Sequence, residues 1–309
     1  MPTAIRQRIF GGNAMESTDS GFFTDYVIAI VGLGLIGGSY AKGLRKLHVR
    51  SIIGIDVNQA ALAEALADGS IDEASNDGSQ LLGEADIVIF CMAADAMMAF
   101  IGQHRQDFKQ GALLTDVAGI KGDSADRIKA LLRDDLDFVP GHPMAGREGS
   151  GYGMSRAEIF DGANYILVPM EGNKPEHVDV IERMARALGC AHVVRVGAAE
   201  HDKLIAYTSS LPHVLAISLI NSESMDTMTR YFVAGSFRDG TRVADINAPL
   251  WTKLFLSNKD NLLKEIDRFS ASLKAFAELL SDEDTKGMTQ FLQQAALRRR
   301  ELVHETNPR

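Results

Sequence analysis

The chain has 309 residues, 46% of them hydrophobic and 24% charged, with a net charge of −9. That is the composition of a folded protein able to bury a sizeable core, and its acidic balance argues against a nucleic-acid partner. No apolar run of membrane-spanning length stands out, and two cysteines, Cys91 and Cys190, offer no metal-ligand spacing and read as buried thiols of a reducing compartment.

Residues 1–25 are polar, glycine-containing and aperiodic, without the apolar core and small-residue cleavage site of a secretory signal; a flexible tail is expected. From there β-rich apolar segments alternate with helical ones. "YVIAIVG" (26–32) reads as a strand and "LIGGSYAKGLRKL" as a helix. "SIIGIDV" (51–57) is a strand, followed by a short helix with Asn58 as N-cap and Gly69 as its stop. Strands follow at 85–91 and 111–117, then the helix "KGDSADRIKALL" and the strand-to-loop segment "DFVPGHP" (137–143). "NYILVP" (164–169), "EHVDVIERMARALG" and "AHVVRVG" (191–197) complete a further strand–helix–strand unit. Continuous apolar strands separated by helices predict a doubly wound, mostly parallel sheet covered on both faces, an α/β domain over 26–197.

After Gly197 no convincing strand remains, so an all-helical domain is expected over 198–309. Its first element is one long helix, "AAEHDKLIAYTSSLPHVLAISLI", kinked at Pro212. Further on, Leu262, Ile266, Phe269, Leu273, Phe276 and Leu280 form a single apolar helix stripe, and Met288, Phe291, Leu292 and Ala295 continue the theme.

The most informative stretch is Gly32-x-Gly34-x-x-Gly37 between a strand and a helix. In a dinucleotide-binding fold the first glycine makes the turn, the second lets backbone approach a pyrophosphate, and the third lets helix pack on strand. The helix N-terminus then faces the phosphates. Asp56 closes the second strand about twenty residues on, where a carboxylate accepts hydrogen bonds from the adenosine ribose. It also repels a 2′-phosphate, and Val57 and Asn58 supply no arginine to offset that, so NAD is favoured over NADP. Leu35 and Ile36 at the helix start, with Asp116 at the end of "GALLTDV", complete the candidate cofactor set.

A dehydrogenase also needs a proton acceptor and groups that hold substrate charge. His142, in "PGHPMAGREGSG", lies just past a strand end, where such sheets form their binding crevice. Taken alone, the bare residue favours a histidine that merely hydrogen-bonds the turn. On the long helix, Ser209 and His213 are four apart and share a face; both types also satisfy backbone carbonyls within helices. "GSFRDGTRVADINAPLW" reads as aperiodic and carries Arg238 and Arg242, whose guanidinium forks match carboxylates when they are not simply solvated.

Together "VGLGLIGGSYAKGL", "GIDVN", "TDVAGIKG", "GHPMAGREGSG", "EHDKLIAYTSSLPH" and "FRDGTRVADINAPLW" resemble the prephenate dehydrogenases of tyrosine biosynthesis, including their arogenate-using relatives. The resemblance runs from about Val27 to the early 260s. It implies a Rossmann-like domain joined to a helical one and NAD-dependent oxidative decarboxylation of prephenate or arogenate. It implies a cytoplasmic enzyme that dimerises through its C-terminal helices, and tyrosine feedback, if any, at the active site itself. On this resemblance His142 bonds the substrate 4-hydroxyl as hydrogen-bond acceptor or general base, and Arg242 anchors a carboxylate. Glu148, Ser209 and His213 line the same pocket, Arg238 stands where a basic residue is common, and Asp239 orients that loop. His201 and Asp202 are expected to lock the helix start.

Four departures from the commoner family pattern stand out. Gly119 replaces a serine hydroxyl near the nicotinamide, Ser210 replaces a histidine, "IFCMAAD" lacks a proline, and neither a C-terminal regulatory domain nor an N-terminal chorismate mutase module is expected. Two other readings are open: a β-hydroxyacid or 6-phosphogluconate type dehydrogenase, for whose helix lysine only Lys203 is on offer, and a non-catalytic NAD sensor.

Overall fold

The computed structural model describes residues 21–146 and 149–306, and the chain divides into two compact units after Asp202. In the first unit, β1 (Val27–Val31), β2 (Ser51–Ile55), β3 (Glu73–Ser75), β4 (Ile87–Phe90), β5 (Leu113–Asp116) and β6 (Asp137–Phe138) form a six-stranded sheet. Its order is β3-β2-β1-β4-β5-β6 and every pair is parallel. The direction of winding reverses between β1 and β4, which places a crevice at the carboxyl ends of these strands.

Alternation along β1 sets the two cores. Ile28 and Ile30 point into one cluster with Ile52, Ile87 and Ile89, covered by Tyr40, Ala41 and Leu44 of α1 (Leu35–Lys46) and Ala61, Leu62 and Ala65 of α2 (Gln59–Ala67). Val27, Ala29 and Val31 point the other way, toward Met97 and Ile101 of α3 (Ala94–His104) and Ala125 and Ile128 of α4 (Ser124–Leu131). Each fully buried aliphatic side chain contributes about 1.5–3 kcal/mol relative to exposure, so both faces resist register slip. The α3 helix and the short edge strand β3 add to the elements legible in the sequence. Of the expected tail, residues 1–20 lie outside the described residues. Residues 21–25 are not loose: Phe23 is buried, with the Phe22 and Tyr26 rings against it.

The segment 137–143 is two strands, not one. Pro140 has no N–H to donate, so the chain leaves β6 and enters a second, three-stranded sheet as β7 (Gly141–Pro143). There β7 pairs antiparallel with β8 (Asn164–Leu167), which pairs parallel with β9 (His192–Arg195), and α5 (Pro175–Ala187) connects these two. This break carries His142 just beyond the carboxyl end of the main sheet.

Among its described residues the second unit is helical throughout. The expected long helix is α6 (Ala198–Ile205), a π-turn at 206–210, and α7 (Leu211–Ile220). The wider turn accommodates Pro212, which lacks an N–H and crowds the preceding turn of a regular helix. Residues 198–220 are long and apolar enough to cross a membrane by length and composition, contrary to the sequence reading. Yet His201 and Asp202 within them are buried among polar partners of the first unit (below). The stretch around Arg238 and Arg242, expected to be aperiodic, is α8 (Gly235–Thr241) and a 3-10 turn at 242–244. After it come α9 (Ala248–Ser257), capped by Asn247, α10 (Lys259–Ser281) and α11 (Thr285–Thr306). Phe276 of α10 meets Phe291 of α11, but Leu273, Leu280 and Leu292 stay exposed.

Gly37 has no room for a side chain: its Cβ would fall on the carbonyl oxygen of Gly32. Gly37→Ala is expected to cost about 2 kcal/mol and to lower Tm by about 5 °C in thermal denaturation. Gly34→Ala, at a position with φ −82° and no protein atom within 4 Å of an added Cβ, should leave Tm within about 1 °C.

Candidate active site

The glycine turn divides its labour. Gly32 has φ +98°, and a Cβ there would lie 2.7 Å from the Cys91 carbonyl oxygen. Gly37 is needed for helix–strand contact, and Gly38 for Tyr152 and Ser155, each 2.7 Å or so from its would-be Cβ. Only at Gly34 does the protein itself impose no packing reason for glycine. Gly34 is also the N-cap of α1; it offers no side-chain cap, and the first turn holds no acidic residue. The amide groups that open α1, including those of Leu35, Ile36 and Gly37, therefore make an anion-binding end beside an open backbone. Asp56 ties this turn to β2: its Oδ2 accepts from Leu33 N–H at 2.6 Å and its Oδ1 from Asn58 N–H at 2.7 Å. These residues fit a dinucleotide, and Asp56 retains lone pairs for further donors.

Asp116 closes β5 and is gripped by the protein itself. It is 2% exposed, and both carboxylate oxygens lie 2.8 Å from the ammonium of Lys121, itself 1% exposed. Asp116 also accepts from Gly141 N–H at 3.2 Å and Ala118 N–H at 3.1 Å, while Lys121 Nζ donates to the Gly141 carbonyl at 2.5 Å. Removing one member of such a buried pair costs about 3–5 kcal/mol, because the other is left charged and uncompensated. The sequence carried no signal for Lys121 beyond its place in "TDVAGIKG".

The peptide clamped by this pair precedes His142. His142 Nδ1 lies 2.9 Å from His201 Nε2, and His201 Nδ1 lies 2.6 Å from Asp202 Oδ1. Asp202 further accepts from Lys121 N–H at 2.9 Å and Gly122 N–H at 2.5 Å. Burial raises the Asp202 pKa, but the bonds from His201 and these two amides outweigh it and hold the carboxyl below the usual range. An ionised Asp202 only accepts, so His201 carries its proton on Nδ1 and presents a lone pair at Nε2. His142 Nδ1 must then be the donor, which leaves the lone pair of His142 on Nε2. His201 and Asp202 thus do more than lock a helix start: they set the tautomer of the first unit's candidate base.

In the second unit, His213 Nδ1 donates to the Ser209 carbonyl at 2.8 Å and the ring stacks on Trp251, with centroids 3.7 Å apart. Ser210 is buried. Arg238, Asp239 and Arg242 are exposed on α8 and the turn after it. Arg238 and Arg242 are four residues apart in continuous helical backbone, so they share a face. Glu148 lies outside the described residues. Of the two cysteines, Cys190 is buried, whereas Cys91, expected to be so, is half-buried beside the glycine turn.

Residues 40–194 match the family model "Prephenate dehydrogenase, nucleotide-binding domain", and residues 197–294 match "Prephenate dehydrogenase, dimerization domain". The chain is 30% identical over 274 residues to the prephenate dehydrogenase of Bacillus subtilis, covering 87% of this chain and 74% of that one. It is 31% identical over 264 residues to the cyclohexadienyl dehydrogenase of Zymomonas mobilis, covering 83% and 89%. The crystal structure of Aquifex aeolicus prephenate dehydrogenase in complex with hydroxyphenyl propionate and NAD+ superposes with a TM-score of 0.80 at 28% identity, covering 90% of this chain and 98% of that one.

Burial first, then the charge of Lys121, hold the His142 pKa well below its ordinary 6.5. The unfolded chain therefore binds a proton that the folded chain refuses, and stability falls as pH drops below about 6.5. Urea denaturation at pH 6.5 and 5.5 is expected to show the parent losing about 1 kcal/mol more than His142→Asn over that interval.

Proposed function

The chain belongs to the prephenate dehydrogenase family, and we propose that it converts prephenate to 4-hydroxyphenylpyruvate by NAD-dependent oxidative decarboxylation in tyrosine biosynthesis. The observation that carries this reading is the lone pair of His142 Nε2, held as an acceptor by the chain of hydrogen bonds to His201 and Asp202. NAD, held by the glycine turn and the start of α1, would supply the hydride acceptor. His142 takes the proton of the ring 4-hydroxyl as hydride leaves the same carbon, so that carbon becomes a carbonyl. Loss of the ring carboxylate as carbon dioxide sends an electron pair through the ring onto that oxygen, and the imidazolium returns its proton there. Aromatisation supplies the driving force, so the protein's contribution is positioning and polarisation.

Gly32, Gly34, Gly37 and the opening amides of α1 would hold the pyrophosphate, with Asp56 at the ribose. We assign Arg242 the fork that grips a substrate carboxylate, and Ser209, His213, Glu148, Arg238 and Asp239 the lining of the substrate pocket, as the family resemblance implies. Residues 26–197 would then be the cofactor domain and 198–309 the substrate and dimerisation domain, with tyrosine, where it inhibits, competing at the same pocket. The likeness to a cyclohexadienyl dehydrogenase supports arogenate as a second substrate. The acidic, disulfide-free chain suits the cytoplasm.

Reduced-cofactor absorbance with prephenate and NAD is the direct test, and folded protein that binds NAD without turnover sinks the reading. His142→Asn is expected to lower kcat by at least 100-fold with NAD affinity within about threefold of the parent. Arg242→Gln should chiefly raise KM for prephenate, by about 10-fold or more. Repeating the assay with arogenate ranks the two substrates.

The exposed Leu273 and Leu280 on α10 and Leu292 and Leu297 on α11 support a dimer formed through these helices. Light scattering on the eluting protein is expected to give twice the chain mass, and Leu273→Glu with Leu280→Glu should shift it toward the monomer.

A further inference from the structure

Lys121 has no place in the proton inventory of the reaction, yet it is among the most deeply buried side chains of the first unit. Its ammonium has three donors, all aimed at Asp116 and the Gly141 carbonyl. Asp116 in turn accepts from Gly141 N–H. The ion pair thus grips residue 141 at both its main-chain polar groups, immediately before His142. A second connection runs through the Lys121 main chain. Its N–H, with that of Gly122, holds the Asp202 carboxylate, and Asp202 orients His201 and through it His142 Nδ1. Stability does not account for a buried pair of this kind, since an apolar pair of similar volume is often as stable. An apolar pair, however, would leave both Gly141 groups unheld.

We propose that Lys121 is a positioning residue for His142, bracing the imidazole along two routes at once, through the backbone of Gly141 and through Asp202 and His201. This rests on the reading of His142 as the proton acceptor. Among the described residues of the first unit, the charged and titratable groups tied to the ring through these bonds are Lys121 and Asp116 from β5 and its loop, and His201 and Asp202 from α6. The cation of Lys121 also disfavours a second positive charge on His142.

The test compares the parent with Lys121→Met, Asp116→Asn/Lys121→Met, Asp202→Asn and His142→Asn. Each is followed by thermal melting, kcat, KM and the pH profile of prephenate turnover. The double variant leaves no buried charge unpaired, so it separates positioning from folding. It is expected to fold, with KM for prephenate and NAD within about threefold of the parent and kcat lowered about 10- to 100-fold. In Lys121→Met the acid limb of the profile moves to higher pH, because His142 gains its proton more readily. Combined with His142→Asn, the double variant should cost nothing further, since its effect passes through that ring. A folded double variant with kcat within threefold of the parent, or a full additional loss in the His142→Asn background, overturns the proposal. Asp202→Asn probes the second route without touching the ion pair: kcat falls with KM held, and an unchanged kcat overturns that route even where the double variant does not fold. Parental turnover in His142→Asn would instead remove the reading of His142 itself.

Discussion

Asp202 accepts hydrogen bonds from two main-chain amides of the loop after β5 and from the Nδ1 of His201, and the proton arrangement of the site follows from those three bonds. An acceptor that cannot donate orders every donor behind it. The order propagates through His201 to His142 and ends at a lone pair on Nε2. The same carboxylate also docks the start of α6 onto the sheet domain, so building this part of the fold and setting the tautomer are one event. Such shared use explains why these side chains tolerate burial at 2–4% exposure: each polar atom has a partner where it is needed.

Much of this fold was legible because its signals are local. A strand that ends in glycines and turns into a helix announces itself, as does a carboxylate at the close of the next strand, and the six-stranded sheet agrees with both. Elements whose identity depends on distant partners were harder to see. The second sheet exists because Pro140 ends one pairing and Leu167 and Tyr165 provide another. The helix at 235–241 was masked by Gly235 and Gly240, which lower helix propensity whatever the tertiary setting. The π-turn has no composition of its own; it records how Pro212 is absorbed.

The candidate site shows the same division. His142 stood out through its place after a strand, but nothing in its own neighbourhood gave its tautomer. That depends on residues almost sixty positions away, which the sequence joins only as an unremarked "HD" at a helix start. Asp116 at the end of β5 and Lys121 in the loop after it look like an ordinary surface pair until burial reveals that both hold Gly141. Gly119, where the family commonly has a hydroxyl, sits in that same loop, and in this chain the imidazole is oriented from the α6 side.

The π-turn at 206–210 means that this helix holds one residue more than an α-helical path of the same span. Each residue of an α-helix advances the azimuth by about 100°. In a regular α-helix the loss of one residue would turn everything after it by roughly that angle, whereas excising a single residue between Ala206 and Ser210 would restore the α-helical path of that span and leave the indole-stacked ring of His213 at its present azimuth. The turn thus takes up a change in length without redirecting the face beyond it, so relatives differing by one residue at this point should be aligned by azimuth rather than by count.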